Sequence, residues 1–172
     1  MKTRVVLTSC FAVVFGLASI ANAQLKAGSP EEAAYTKLDA EKNGDAKLTL
    51  LLDFEKQFQN VSPKILANIF LMVMDIYSEK DNKAKIAEYG DKAVAKDPQN
   101  ITALLRVSRN YSVEKTNLPK AIEYAEKAKQ VIESMRKDPA PIGQTDEQYK
   151  QYLDANAVSA EQLANYAKGL QR

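Results

Sequence analysis

The sequence predicts an all-α protein made of antiparallel helical hairpins, and three observations support this class. The chain after residue 23 is rich in Ala, Leu, Lys, Glu and Gln, which favour helices. Helix-start signals precede runs of apolar residues with helical spacing, separated by turns at intervals of roughly fifteen to twenty residues. No segment alternates apolar and polar residues over the length of a half-buried strand.

Composition limits the function classes that are compatible with the chain. Of its 172 residues, none is His or Trp, and the single cysteine is Cys10. The usual general base, the thiol nucleophile and the common metal ligands are therefore missing, and we expect neither an enzyme nor a cofactor. The formal charge of +2 comes from Lys2 and Arg4, so the chain after residue 23 is neutral and predicts no nucleic-acid surface.

Residues 1–23 have the pattern of a cleavable signal peptide. A basic start at 1–4 precedes a mostly apolar run at 5–20, and Ala-Asn-Ala at 21–23 places the cleavage site before Gln24. The apolar run is short for a membrane span, which leaves an uncleaved anchor as the alternative. We expect an exported protein without membrane insertion after cleavage, periplasmic in a bacterium and otherwise secreted.

Helix-start signals divide the remaining chain into seven predicted helices. Ser29-Pro30 and Ser62-Pro63 each combine a capping serine with proline at the first helical position, and Thr145 to Gln148 forms a capping box. Ser159 to Gln162 is also box-like, which makes a break near Asn156 an alternative for the last helix. The helices are predicted near 29–42, 45–60, 63–79, 82–96, 101–114, 118–137 and 146–170.

An internal repeat spans two of the predicted hairpins. Residues 86–93 and 121–128 share a Glu-Tyr-x-acid-Lys-Ala core at an offset of 35 residues. The helices before them align at an offset of 34, with Phe70, Val73 and Tyr77 matching Leu104, Val107 and Tyr111. One extra residue in the second turn accounts for the difference.

This pattern resembles the tetratricopeptide repeat (TPR) family, whose unit is a helix-turn-helix of 34 residues. Tyr77 and Tyr111 occupy the family's late tyrosine position, and Ala93 and Ala128 its late small position. Asp97-Pro98 matches its terminator. The resemblance is good over 67–133 and weaker over 29–66.

Two bulky residues depart from the family pattern. Ser108 and Ala121 fit the close-contact positions of the second repeat, but Met74 and Ile86 stand there in the first. This departure predicts a wider hairpin or a different helix pairing for that repeat.

The resemblance implies one TPR-like domain over 24–172, a short right-handed solenoid of stacked hairpins. Another α-hairpin solenoid or a helical bundle is the alternative. The hairpins are expected at about 29–60, 63–97 and 101–137, with a capping helix or hairpin at 145–170.

In this family the first helix of each repeat lines a concave groove that binds proteins or extended peptides. The residues that fall on groove-facing positions are Asn68, Leu71, Met72, Asp75, Thr102, Leu105, Arg106, Arg109 and Asn110. Leu71 and Met72 are also compatible with a purely structural place in the core.

Arg106 and Arg109 are the strongest binding candidates, because they share a helix face without an acid three or four residues away. Guanidinium groups suit carboxylates and backbone carbonyls of a peptide. A salt bridge across repeats, to Asp75, is the competing interpretation. The sequence therefore predicts a non-enzymatic adaptor with an unknown protein or peptide partner. A structural envelope component that self-associates is the alternative.

Overall fold

The structure is a computed structural model and describes residues 25–141 and 143–172. All seven predicted helices occur, with ends shifted by at most three residues. They are α1 (Pro30–Ala40), α2 (Gly44–Gln57), α3 (Pro63–Glu79), α4 (Lys83–Lys96), α5 (Ile101–Glu114), α6 (Leu118–Met135) and α7 (Asp146–Leu170). No strand occurs within the described ranges, which confirms the all-α class. The predicted signal peptide lies outside the described residues.

Side-chain caps explain why most helices begin where they do. Ser29 Oγ accepts a hydrogen bond from the Glu32 backbone N–H, and Thr145 forms a complete capping box with Gln148. Ser62 makes no side-chain cap; its carbonyl instead accepts the first hydrogen bonds of α3. Four other helices begin after an asparagine whose side chain accepts from the first turn: Asn43, Asn82, Asn100 and Asn117.

The break predicted as an alternative near Asn156 does not occur, and α7 is continuous over 25 residues. Asn156 Nδ2 donates to the Tyr152 carbonyl, and Ser159 Oγ donates to the Ala155 carbonyl. Both side chains therefore bond back within the helix instead of capping a new one. No helix in the described part of the chain is long and apolar enough to cross a membrane.

Each helix packs on the next, and the helices form two layers. In the odd-numbered layer α3 contacts α5 through side chains, and α5 contacts α7. In the even-numbered layer Glu55 of α2 accepts from Tyr89 of α4, and Asp91 of α4 accepts from Tyr124 of α6. Apolar residues along one face of α2 and one face of α3 meet in one core, with Leu51, Phe54, Ile65, Ile69 and Val73 fully buried.

The turns of the two repeats share one backbone geometry. Asp81 and Lys115, 34 residues apart, both have a left-handed φ of 52°. In each turn the next backbone N–H donates to the carbonyl of the repeat tyrosine, Tyr77 or Tyr111. The extra residue in the second turn is Thr116, which lies between the left-handed residue and the capping Asn117.

The bulk of Met74 is accommodated by a glycine rather than by a different helix pairing. Met74 is fully buried, yet α3 still pairs with α4. A Cβ added to Gly90 would lie 3.3 Å from Met74 Sδ and 3.0 Å from both Val107 methyl groups. A small residue on α4 therefore compensates for a large one on α3, so that the contact stays filled.

Candidate functional site

The predicted site residues all lie on α3 and α5, but they differ in how far their side chains are exposed. Leu71 and Leu105 are 2% and 8% exposed and belong to the core. Arg109 is exposed on α5. The remaining candidates are partly buried: Asn68, Met72, Asp75, Thr102, Arg106 and Asn110.

Arg106 forms the salt bridge that the sequence offered as the competing interpretation. Its Nη2 donates to Asp75 Oδ1, which joins α5 to α3. Burial raises the pKa of the Asp75 carboxyl, Arg106 opposes this rise, and nearby Glu79 adds to it, so that the pKa stays above its ordinary value. The ion pair holds the Arg106 side chain in place and offsets its charge.

Two further candidates contact neighbouring helices. Asn110 Nδ2 lies 3.5 Å from Met74 Sδ on α3. Thr102 lies beside Tyr152 on α7, where burial raises the pKa of the Tyr152 hydroxyl and Thr102 opposes that rise. The exposed residues of α5 are Arg109 and Val113, so its open surface lies nearer its C-terminal end.

Val113 extends this open surface and was not predicted from the sequence. It is 57% exposed, the most exposed large hydrophobic residue in the described part of the chain. It follows Arg109 by four residues, so it shares the face of Arg106 and Arg109. We call these three residues, Arg106, Arg109 and Val113, the α5 stripe. The sequence contained a signal for this stripe, because its residues are separated by three and then four positions, the spacing of one helix face.

The even-numbered layer holds a polar cluster around Asp91 of α4. Its carboxylate accepts from the hydroxyls of Tyr111 and Tyr124, each at 2.8 Å, and from Lys120 Nζ at 2.6 Å. Burial raises the pKa of Asp91, but these donors outweigh it and leave the pKa below its ordinary value. The cluster connects three helices and satisfies its own polar groups, so it is structural.

We expect Tyr89, Tyr111 and Tyr124 to titrate only as the protein unfolds in alkali. Burial and a neighbouring carboxylate raise the pKa of Tyr89 to about 12, and burial with the Asp91 carboxylate raises those of Tyr111 and Tyr124 further. The folded state therefore holds these protons more tightly than the unfolded chain, whose tyrosine pKa is about 10. Their stabilising effect is complete below pH 10 and is lost as the pH rises above it.

The tyrosinate absorbance of Tyr89, Tyr111 and Tyr124 should therefore appear together with the loss of circular dichroism above pH 10. Full tyrosinate absorbance near pH 10 with unchanged circular dichroism would contradict this coupling.

The described residues offer no evident catalytic arrangement. They contain no group of three acidic, His or Cys side chains able to hold a metal, and no buried side-chain polar atom in them lacks a partner. A cleft of about 390 Å³ lies between Leu25, Phe58 and Ile65, with none of the predicted site residues in its lining.

No protein-family model matches the chain, and a search of curated proteins gives no match either. The function is therefore inferred from the fold and from the α5 stripe.

Proposed function

We propose that this protein is an exported, non-enzymatic TPR-like adaptor that binds an extended segment of another protein. The observation that supports the proposal best is the α5 stripe, in which the exposed residue Arg109 lies one turn from the exposed residue Val113. A charged anchor beside an apolar one is suited to fixing a peptide in one register. The internal repeat and the paired odd-numbered helices support the TPR-like assignment.

The stripe favours a particular peptide chemistry. Arg109 and Val113 are separated by about 6 Å along the helix axis. Side chains two residues apart on an extended peptide are separated by about 6.6 Å and point to the same face. A peptide with an acidic residue, any residue and then an apolar residue matches this spacing. Arg109 is more exposed than Arg106, so it is the proposed contact for the carboxylate.

The double variant Arg109→Glu, Val113→Lys is expected to lose peptide binding while keeping its fold. Both side chains are exposed, so the melting temperature should change little. A random-peptide library selected on residues 24–172 should yield acid-x-apolar sequences. Peptides chosen in this way should bind the double variant at least tenfold more weakly, since the carboxylate of the peptide would then face a second carboxylate rather than a guanidinium.

Lys42→Glu provides the matched control for charge reversal, because Lys42 is exposed in the α1–α2 loop away from α5. It should bind the selected peptides as the unmodified protein does. Equal binding by all three proteins, or selection of peptides without an acidic residue, would contradict the proposed contact.

A structural component that self-associates is the second candidate function. The salt bridge between Arg106 and Asp75 favours this candidate, because Arg106 then serves to join α5 to α3.

A further inference from the structure

The ion pair between Arg106 and Asp75 lies at the candidate binding surface and is open to solvent. The side chain of Arg106 is 25% exposed and that of Asp75 is 43% exposed. Arg106 belongs to the α5 stripe. Asp75 stands 34 residues before Arg109, at the same repeat position, so it lies on the corresponding face of α3. A ligand that contacts Arg106 must therefore come close to the carboxylate of Asp75.

The fold does not favour the charged form of Asp75. Burial keeps the pKa of its carboxyl above the ordinary value, although the charge and the hydrogen bond of Arg106 lower it. The folded state therefore holds this proton more tightly than the unfolded chain does, and above that pKa the charged carboxylate lowers the free energy of unfolding. A charge that is kept at a cost in stability is typical of functional sites.

The contact that Asp75 makes is also the contact that the adaptor proposal assigns to a ligand. Its Oδ1 accepts a hydrogen bond from Arg106 Nη2, as a carboxylate of a bound peptide would do. The Asp75 carboxylate offsets the charge of Arg106 and repels a second carboxylate that approaches it. Arg109, three residues further along the same face of α5, is the more exposed of the two arginines.

We propose that Asp75 is an internal competitor, whose carboxylate occupies Arg106 and keeps it from binding a carboxylate of the partner segment. The inference rests on the proposed adaptor function and adds a contact that limits the affinity of the site. It also gives the two arginines of the α5 stripe different roles, because only Arg109 then binds the partner. Without the competitor, both guanidinium groups could share one carboxylate.

Binding of the acid-x-apolar peptides selected on residues 24–172 measures the competition. Asp75→Asn keeps the shape of the side chain and removes its charge. We expect it to bind the peptides about threefold more tightly, the fold-change that corresponds to an exposed charge pair. Arg106→Gln should bind them about as the unmodified protein does. In the protein that carries both changes the gain should disappear, because the competitor acts through Arg106.

Glu79→Gln is the matched control, because it removes the same charge one turn along α3. Glu79 is exposed and acts on Asp75 through its charge, so its removal should raise the affinity less than Asp75→Asn does. Equal gains from the two variants, or a gain that survives Arg106→Gln, would overturn the competition.

The same measurements separate failure of this inference from failure of the adaptor proposal. Peptide binding that Arg109→Glu abolishes and Asp75→Asn leaves unchanged would overturn the competition alone. If neither the unmodified protein nor Asp75→Asn selected acid-x-apolar peptides, both proposals would be wrong.

Urea unfolding distinguishes a competitor from a structural ion pair. Because the fold does not favour the charged form of Asp75, Asp75→Asn should leave the urea midpoint unchanged or raise it. A clear fall in the midpoint would mean that the ion pair serves to hold α5 to α3, and would overturn the inference. That result would not bear on the adaptor proposal, since the experiment uses no ligand.

Discussion

Replacing Met74 with aspartate is expected to abolish cooperative folding of the domain. Met74 is fully buried where α3, α4 and α5 meet, with Gly90 on one side and Asn110 on another. An unpaired charge at such a place costs several kcal/mol, a large part of the roughly 5–15 kcal/mol that stabilises a typical domain. Met74→Ala removes only packing and is expected to cost about 2–4 kcal/mol.

Urea unfolding followed by circular dichroism measures both effects, with Met72→Asp as the control. Met72 lies two residues away on the same helix but is only partly buried, so the loss of stability should be much smaller. If Met74→Asp unfolded at the same urea concentration as the unmodified protein, the packing of α3 against α4 and α5 would be wrong.

Replacing Asp91 with alanine is expected to lower the free energy of unfolding by about 2–3 kcal/mol. The change removes the carboxylate that accepts hydrogen bonds from Tyr111, Tyr124 and Lys120. The two tyrosine hydroxyls, which are partly buried, then lose that acceptor. Tyr111 keeps only its longer contact of 3.2 Å to the Ala87 carbonyl.

Glu126→Ala provides the matched control for this loss. Glu126 stands 35 residues after Asp91 and its side chain is about as exposed, 37% against 36%, but it pairs with the exposed Lys129 and Lys168 instead of with tyrosine hydroxyls. Its removal should cost less than about 1 kcal/mol. Adding Tyr124→Phe to Asp91→Ala should cost less than Tyr124→Phe alone, because the hydroxyl has already lost its acceptor. Equal losses from Asp91→Ala and Glu126→Ala would contradict the role given to the cluster.

Local signals were sufficient to predict the helices. Capping residues act on the first turn that follows them, so Thr145 and Ser29 could be interpreted without knowledge of tertiary contacts. The box-like segment after Ser159 gave the misleading alternative, since an Ala-rich context favours continuation of the helix and lets Ser159 bond to the preceding turn.

The sequence predicted contacts between helices only where the internal repeat showed which positions of neighbouring helices are equivalent. The salt bridge across repeats was the competing interpretation, since Asp75 occupies the repeat position of Arg109, and Arg106 forms it. Arg106 lies three residues before the position that the repeat makes equivalent to Asp75, and the sequence does not contain this difference in register. The compensation of Met74 by Gly90 was missed for the same reason.

The series of acids along the even-numbered helices was only partly visible in the sequence. The repeat comparison matched Asp91 with Glu126 but gave no role to either. In the structure Glu55, Asp91 and Glu126 each accept from the next hairpin or terminal helix. The role emerges only when three helices are assembled, and Glu55 lies in the range 29–66, where the resemblance between repeats is weaker. Val113 was missed because exposure depends on which neighbours cover a helix.

Affinity capture from an extract of the source cells tests the adaptor proposal most directly. The bait is residues 24–172, compared with the Arg109→Glu, Val113→Lys variant and with the Lys42→Glu control. The proposal predicts a protein that the unmodified and Lys42→Glu baits retain and the double variant loses. Capture of only the chain itself by all three baits would contradict the adaptor function and favour a self-associating structural component.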